Sequence, residues 1–319
     1  MQKWITSAES PVISHVQSRA SHKAVLRGGK ILAMLFRSYA PGPLLRGFVH
    51  DFWLYNGYAA PHLRERILPT GTIELVVNLR EDELRIYEPG RPDRCRRFSG
   101  ALVSGAYGRG FVTDALEETS IMGVHFEPGG AFPFLGLPAG ELADAHVDLE
   151  DLWGRSGRWL RERLCAAATP RERFRLMEEA LTAHVFGPLQ RHRTVDFALD
   201  AFVRSGGRAR IGDVSARAGL SRRHFIERFT AEVGMTPKLF CRIQRFHHLL
   251  TFLRRRGAPN WAELALECGY FDQLHLIHDF VTFSGLTPAA YVDHHKTLQQ
   301  RGVHVKRNHL PVAAVGLRS

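Results

Sequence analysis

The sequence predicts an α+β protein. A β-barrel- or sandwich-like N-terminal domain with a helical segment precedes an all-α C-terminal domain of two helix-turn-helix units joined by a long helix. Three observations predict this. Short apolar or alternating runs separated by turn residues occupy positions 34–135, the pattern of half-buried strands. From about residue 138 apolar side chains recur at three- and four-residue spacing, the period of a helix. A stretch of the C-terminal third then occurs twice, and self-similarity at a fixed period marks a duplicated unit. The 319 residues suit two domains of about 150 residues each.

Residues 1–33 show no clear periodicity and read as a loosely ordered leader, with Met34 just before the first β-like run. The N-terminal domain is expected over 34–190. Its strands include Phe48–Tyr55, Thr72–Leu79, Leu84–Tyr87 and Ile121–Phe126, punctuated by PTG, EPG and EPGG, where proline and glycine supply turn geometry. Phe52, Trp53, Tyr55, Phe126, Phe132 and Phe134 either line an apolar pocket or fill the core. The segments ELADAHVDLEDLWG, GRWLRERLCAAA and PRERFRLMEEALTAHVF carry helical periodicity. The amphipathic stretch 155–186 suits a homodimer interface and packing against the barrel equally well. Ser205, Gly206 and Gly207 then break the pattern. The C-terminal domain is expected over 195–296, with 297–319 as a basic tail.

The repeat pairs Ile211–Phe240 with Trp261–Tyr291. Gly219 matches Gly269, Phe225 matches Leu276, Phe229 matches Phe280, and Thr236-Pro237 match Thr287-Pro288. Each position has a physical reason. A short amphipathic helix turns Val214 or Leu264 inward, and a glycine then permits the left-handed turn through which the next helix crosses steeply. Ser221 and Asp272 suit N-caps of that second helix. Phe225 and Phe229, or Leu276 and Phe280, form its buried face. Between the units, a helix is expected from Pro237 to Arg256, closed by Gly257; its twenty residues would span roughly 30 Å.

Charge is distributed unevenly. Residues 1–192 hold 24 Lys/Arg and 22 Asp/Glu, whereas 193–319 hold 19 and 10. Excess positive charge in the last two fifths suits phosphate binding, because neutralising phosphates releases condensed counterions; a merely solubilising basic surface explains the charge equally well.

The tandem arrangement resembles the DNA-binding domain of the AraC/XylS family of transcription regulators over about residues 195–295. The second unit, GYFDQ followed by GLTPAAY, carries the more specific half of the match. Upstream, FVHDFWLY, RILPTGTIELVVNL, GVHFEPGGAFPFLG and ELADAHVDLEDLWG are similar to the N-terminal regulatory domain of one AraC-type subgroup. The resemblance implies sequence-specific binding to double-stranded DNA, activation through contact with RNA polymerase, and a regulatory N-terminal domain that binds a small-molecule effector or dimerises. On the first recognition helix the expected solvent-facing residues are Arg222, Arg223, Ile226 and Glu227. Arg223 suits a bidentate contact to guanine. On the second, Gln273, Leu274 and His278 occupy the positions that face base edges in the family; Gln273 suits adenine and Leu274 a thymine methyl. Arg222, Arg228, Arg242, Arg245 and His275 are expected to contact phosphates or to be structural. Glu227 and His278 stand where the family usually carries basic residues, which lowers positive charge at the groove.

Other chemistry is weakly represented. His50, His62 and His125 fall in the β domain without an HxH or HxxxH pair, and no carboxylate stands at ligand spacing in the sequence. A metal-dependent β-barrel enzyme with a DNA-binding appendage is the alternative reading, but no catalytic residue, metal or cofactor is expected. Gly105–Phe111 is glycine-rich with the wrong spacing for a phosphate loop, so turns are expected there. Cys95 lies among arginines that favour a thiolate, yet the four cysteines form no CxxC pair. No apolar run reaches 18 residues and no secretory signal pattern is present, so a cytoplasmic protein without a membrane span is expected.

Overall fold

A computed structural model of the chain describes residues 21–27, 30–57, 63–88, 91–115, 120–256, 260–300 and 308–312. The N-terminal domain contains β1 (Ser21–Arg27), β2 (Lys30–Tyr39), β3 (Val49–Asn56), β4 (Arg64–Ile67), β5 (Glu74–Asn78), β6 (Glu83–Glu88), β7 (Arg91–Ser99), β8 (Ala101–Ser104), β9 (Phe111–Asp114), β10 (Ser120–Phe126) and β11 (His146–Asp148). Helices α1 (Leu149–Trp153), α2 (Arg155–Ala166) and α3 (Pro170–Ala183) follow. The C-terminal domain contains α4 (Arg193–Arg204), α5 (Ile211–Arg217), α6 (Arg222–Val233), α7 (Pro237–Arg256), α8 (Trp261–Glu267), α9 (Gln273–Ser284) and α10 (Pro288–Gln300). A last strand, β12 (His309–Pro311), returns to the β domain.

Two antiparallel sheets form the N-terminal domain. Seven strands run in the order β1-β2-β3-β10-β5-β8-β11, and five in the order β12-β4-β9-β6-β7. The arrangement is a sandwich of two open sheets, within the expected class, and not a closed barrel. Two of the expected boundaries differ. Within the stretch read as leader, β1 pairs with β2 from Ser21 opposite Phe36 to Arg27 opposite Lys30. Its sequence, SHKAVLR, gives too little clean alternation to register as a strand. Within the stretch read as a basic tail, α10 extends to Gln300 and three residues form β12, too short a run to leave a periodic signal.

Side chains alternate across a strand, and β3 uses that alternation to serve two cores. Phe52 and Leu54 join the large core shared with the helices. Trp53 points the other way, into a smaller cluster with Leu84, Phe98, Leu102 and Ile121 between the sheets. Opposite Trp53 stands Gly123, where an added Cβ would lie 2.5 Å from the indole ring. Gly123 therefore makes room for Trp53. The expected pocket-or-core aromatics divide accordingly: Phe52 and Phe134 are fully buried core, Phe132 is half-buried in a short 3-10 turn, and Trp53, Tyr55 and Phe126 border a cavity.

The helix-turn-helix units follow local chemistry closely. Ser221 accepts from the His224 amide and Asp272 from the His275 amide, each satisfying a donor that a helix N-terminus would otherwise leave orphaned. The turns between paired helices place Gly219 and Gly269 at φ +70° and +79°, the left-handed region that costs a residue with a Cβ most. The connector α7 covers Pro237–Arg256, as expected. It grips the first unit through Phe240, whose ring lies 5.7 Å from Phe229. It grips the second through Phe246, 5.3 Å from Phe280 and 5.2 Å from Phe283. These rings are fully buried, and each contributes about 1.5–3 kcal/mol of apolar transfer.

The two domains share one core. His247 on α7 contacts the Pro69 carbonyl at 2.7 Å. Arg66 donates to the Ser284 carbonyl at 2.8 Å, and the His192 amide donates to Glu232 at 3.2 Å.

Candidate nucleic-acid interface and cavity

The recognition helices α6 and α9 begin at equivalent points after their caps, so Arg222 corresponds to Gln273, Arg223 to Leu274 and Glu227 to His278. All six are exposed. Ile226 and His275 are half-buried; His275 lies 3.8 Å from the Asp279 carboxylate. Arg223 is 87% exposed, and its Nε donates to Glu227 at 2.8 Å. The pair lowers the Glu227 carboxyl and raises the Arg223 guanidinium relative to their ordinary values, through the hydrogen bond first. The Glu227 carboxylate thus lies beside the Arg223 guanidinium along the exposed face of α6. Leu274, 76% exposed, stands close in sequence to Phe271, 85% exposed. The start of α9 therefore offers apolar surface where α6 offers guanidinium groups.

Two arginines read as phosphate-contacting or structural are internal joints. Arg242 donates from Nε and Nη2 to Asp279 at 3.0 and 2.7 Å. Arg245 donates to the Gly207 carbonyl at 2.8 Å and lies over the Tyr270 ring. Asp279, 1% exposed, was missed by the sequence reading. An acidic residue on the inward face of an amphipathic helix, next to Phe280, is the signal that marks it.

A second site lies in the β domain. A cavity of about 480 Å³ opens between the sheets, within the roughly 300–1,000 Å³ range of small-molecule sites. Trp53, Tyr55, Phe36 and Phe111 supply apolar wall. The polar wall joins residues far apart in sequence: His125 contacts Asp51 at 2.7 Å and His50 contacts Glu127 at 3.0 Å. Each histidine has a carboxylate partner that its neighbouring sequence does not disclose. The hydrogen bond to Glu127 raises the His50 pKa above the usual imidazole value. Among the described residues no three His, Cys, Asp or Glu side chains are grouped as a metal site needs; His62 lies outside the described residues. The C-terminal part of the chain closes one side of this cavity, with Gln244 and His247 from α7 and Asn308 and His309 from the returning tail.

His146 also borders the cavity, hydrogen-bonded to Ser104 at 3.3 Å and to the Tyr107 hydroxyl, and packed edge-on to Phe111. Burial, aided by Arg96, pushes its pKa down to about 3. The fold therefore holds His146 neutral, whereas the unfolded chain binds a proton near the ordinary value of about 6.5. Stability due to this group is complete above that value and lost as pH falls towards 3, by up to about 1.4 kcal/mol per pH unit. Urea unfolding at pH 7 and pH 5 should show that loss, and His146→Gln should flatten it.

The remaining motifs carry no such arrangement. Gly105–Phe111 connects β8 to β9 through bends, as expected of turns. Cys95 is half-buried on β7, and burial pushes Cys241 and Cys268 up to about 12 and 11. No described helix is long and apolar enough to cross a membrane.

A pair of capped, glycine-turned helix units on one connector defines the helix-turn-helix class of DNA-binding domain. Residues 214–294 match a family described as a helix-turn-helix domain, and residues 37–148 match a domain of unknown function (DUF6597). Residues 214–294 therefore form a helix-turn-helix domain of the AraC type. Among solved structures, it is similar to ToxT from Vibrio cholerae O395 bound to (E)-4-(8-methylnaphthalen-1-yl)but-3-enoic acid. The identity is 9%, covering 76% of this chain and 98% of that one, with a TM-score of 0.41. It is also similar to unsaturated fatty acid bound wild-type ToxT from Vibrio cholerae strain SCE256, at 9% identity over 77% and 94% of the two chains, with a TM-score of 0.39. No curated protein matches the chain.

Proposed function

We propose that this chain is a sequence-specific transcription regulator that reads duplex DNA with α6 and α9 and is controlled by a small molecule held between its two sheets. The observation that carries the reading is the equivalence of the two exposed helix faces on one stiff connector. Twenty helical residues span roughly 30 Å, close to the roughly 34 Å between successive major-groove segments on one face of DNA. In this reading Arg223 contacts guanine, Gln273 adenine, Leu274 a thymine methyl and Glu227 a cytosine amine. Ile226 and His278 complete the base-facing surfaces, while Arg222 and His275 position the helices on phosphates.

Effector control is supported by the cavity wall. A ligand enclosed by both the β domain and α7 touches the element that carries both reading units, so its binding bears on their presentation. Activation through RNA polymerase, a homodimer and action in the cytoplasm follow from the family resemblance and belong to the same proposal.

Selection of bound sequences from a random duplex library tests the reading. Two short conserved blocks about one helical turn apart are expected, with affinity falling steeply with salt at a slope near −0.9 per phosphate contacted. Arg223→Ala should cost about 1–3 kcal/mol and relax preference at one position. A library with no enriched sequence, or binding insensitive to salt, would overturn the proposal.

A further inference from the structure

We propose that the cavity between the sheets is built for an organic cation: an amine or amidinium on an aromatic or aliphatic body that also carries an acceptor oxygen. This inference rests on reading the cavity as the effector site, and it names the ligand's chemistry.

Charge is the first ground. Asp51, Glu74, Asp114 and Glu127 all face the cavity, and no lysine or arginine is found among the described lining residues. Asp114 is compensated from its own sheet, by Arg85 at 3.4 Å, Arg64 at 3.8 Å and the Tyr87 hydroxyl at 2.9 Å. The other three carboxylates meet histidines. His50 faces Glu127 at 3.0 Å. His125 stands between two acids, 2.7 Å from Asp51 and 3.8 Å from Glu74. One imidazole cannot neutralise two carboxylates, so this group stays negative even when His125 is protonated. The longer distance exceeds hydrogen-bond reach, which leaves Glu74 room to accept from a ligand N–H. An anionic ligand would meet these acids with no lysine or arginine among the described lining residues to receive it, and such juxtaposed like charges disfavour a ligand.

The second ground is independent of charge. The indole Nε1 of Trp53 is buried without a hydrogen-bond partner, although Trp53 lines the cavity. A buried donor is normally satisfied, and a small turn of the ring towards the cavity would let an ether, hydroxyl or carbonyl oxygen on the ligand satisfy this one. Trp53, Tyr55 and Phe36 line the same cavity, and aromatic rings attract a cation through their quadrupoles.

The test uses the full chain at pH 7 and three probes that share one body and one ether oxygen: 3-phenoxypropylamine, 3-phenoxypropan-1-ol and 3-phenoxypropanoate. Calorimetric titration should rank the amine about ten-fold or more tighter than the alcohol, with the carboxylate weakest. Glu74→Gln should narrow the gap between amine and alcohol. Asp51→Asn serves as a second variant, and a cooperative unfolding transition verifies that each variant folds. The proposal is overturned if the carboxylate binds as tightly as the amine, if amine and alcohol bind alike, or if no probe binds. Binding of a selected duplex, measured in the same samples, separates the two ideas. Amine binding that leaves DNA affinity unchanged upholds the ligand class and overturns effector control. Preference for the carboxylate together with altered DNA affinity does the reverse.

Discussion

Asp279→Ala should lower stability by about 3–5 kcal/mol and loosen the second reading unit from its connector. The carboxylate is almost completely buried and accepts two hydrogen bonds from Arg242. Removing one partner of a buried pair leaves the other charge uncompensated, and that residual cost exceeds the worth of the pair itself. Replacing both members with apolar residues, as in Arg242→Met with Asp279→Leu, should recover most of the loss. Urea unfolding of the two single variants and the double variant measures the coupling. A single-variant loss below about 1 kcal/mol would place this pair in the class of exposed ion pairs.

Phe246→Ala should cost a similar amount, about 3–5 kcal/mol, by opening a cavity where α7 meets α9. Its ring is fully buried against Phe280 and Phe283, so no water reaches the space to compensate. Phe246→Leu keeps most of the volume and should cost less than half as much. The effect on DNA is more diagnostic than the effect on stability. With the second unit no longer fixed to α7, selected sequences should retain the block read by α6 and lose the constant spacing to the other block. Retention of that spacing in a folded Phe246→Ala protein would show that α7 does not set it.

The reading units were legible in the sequence because their determinants are local. Caps at Ser221 and Asp272, the turns at Gly219 and Gly269, and the bounds of α7 each depend on residues within a few positions of one another. Strand positions were legible for the same reason, but strand order was not. β3 lies beside β10, and β10 beside β5, pairings across dozens of residues that leave no periodic trace. The cavity illustrates the limit. Asp51 and His125 stand 74 positions apart, and Glu127 is 77 from His50. Each looks like an ordinary surface residue until the sheets are assembled. Asp279 was obscured differently: on a recognition helix, an acid reads as a base contact or a solvated face, and only the packing of α9 on α7 turns it inward.

The brief strand formed by His309–Pro311 adds its row of hydrogen bonds to the free margin of β4, and His309 meets the buried Glu65 there at 2.6 Å. This strand adds one more joint to those that His247 and Arg66 already make between the two domains. Any signal passing from the sheets to the helices must therefore strain or release one of these joints.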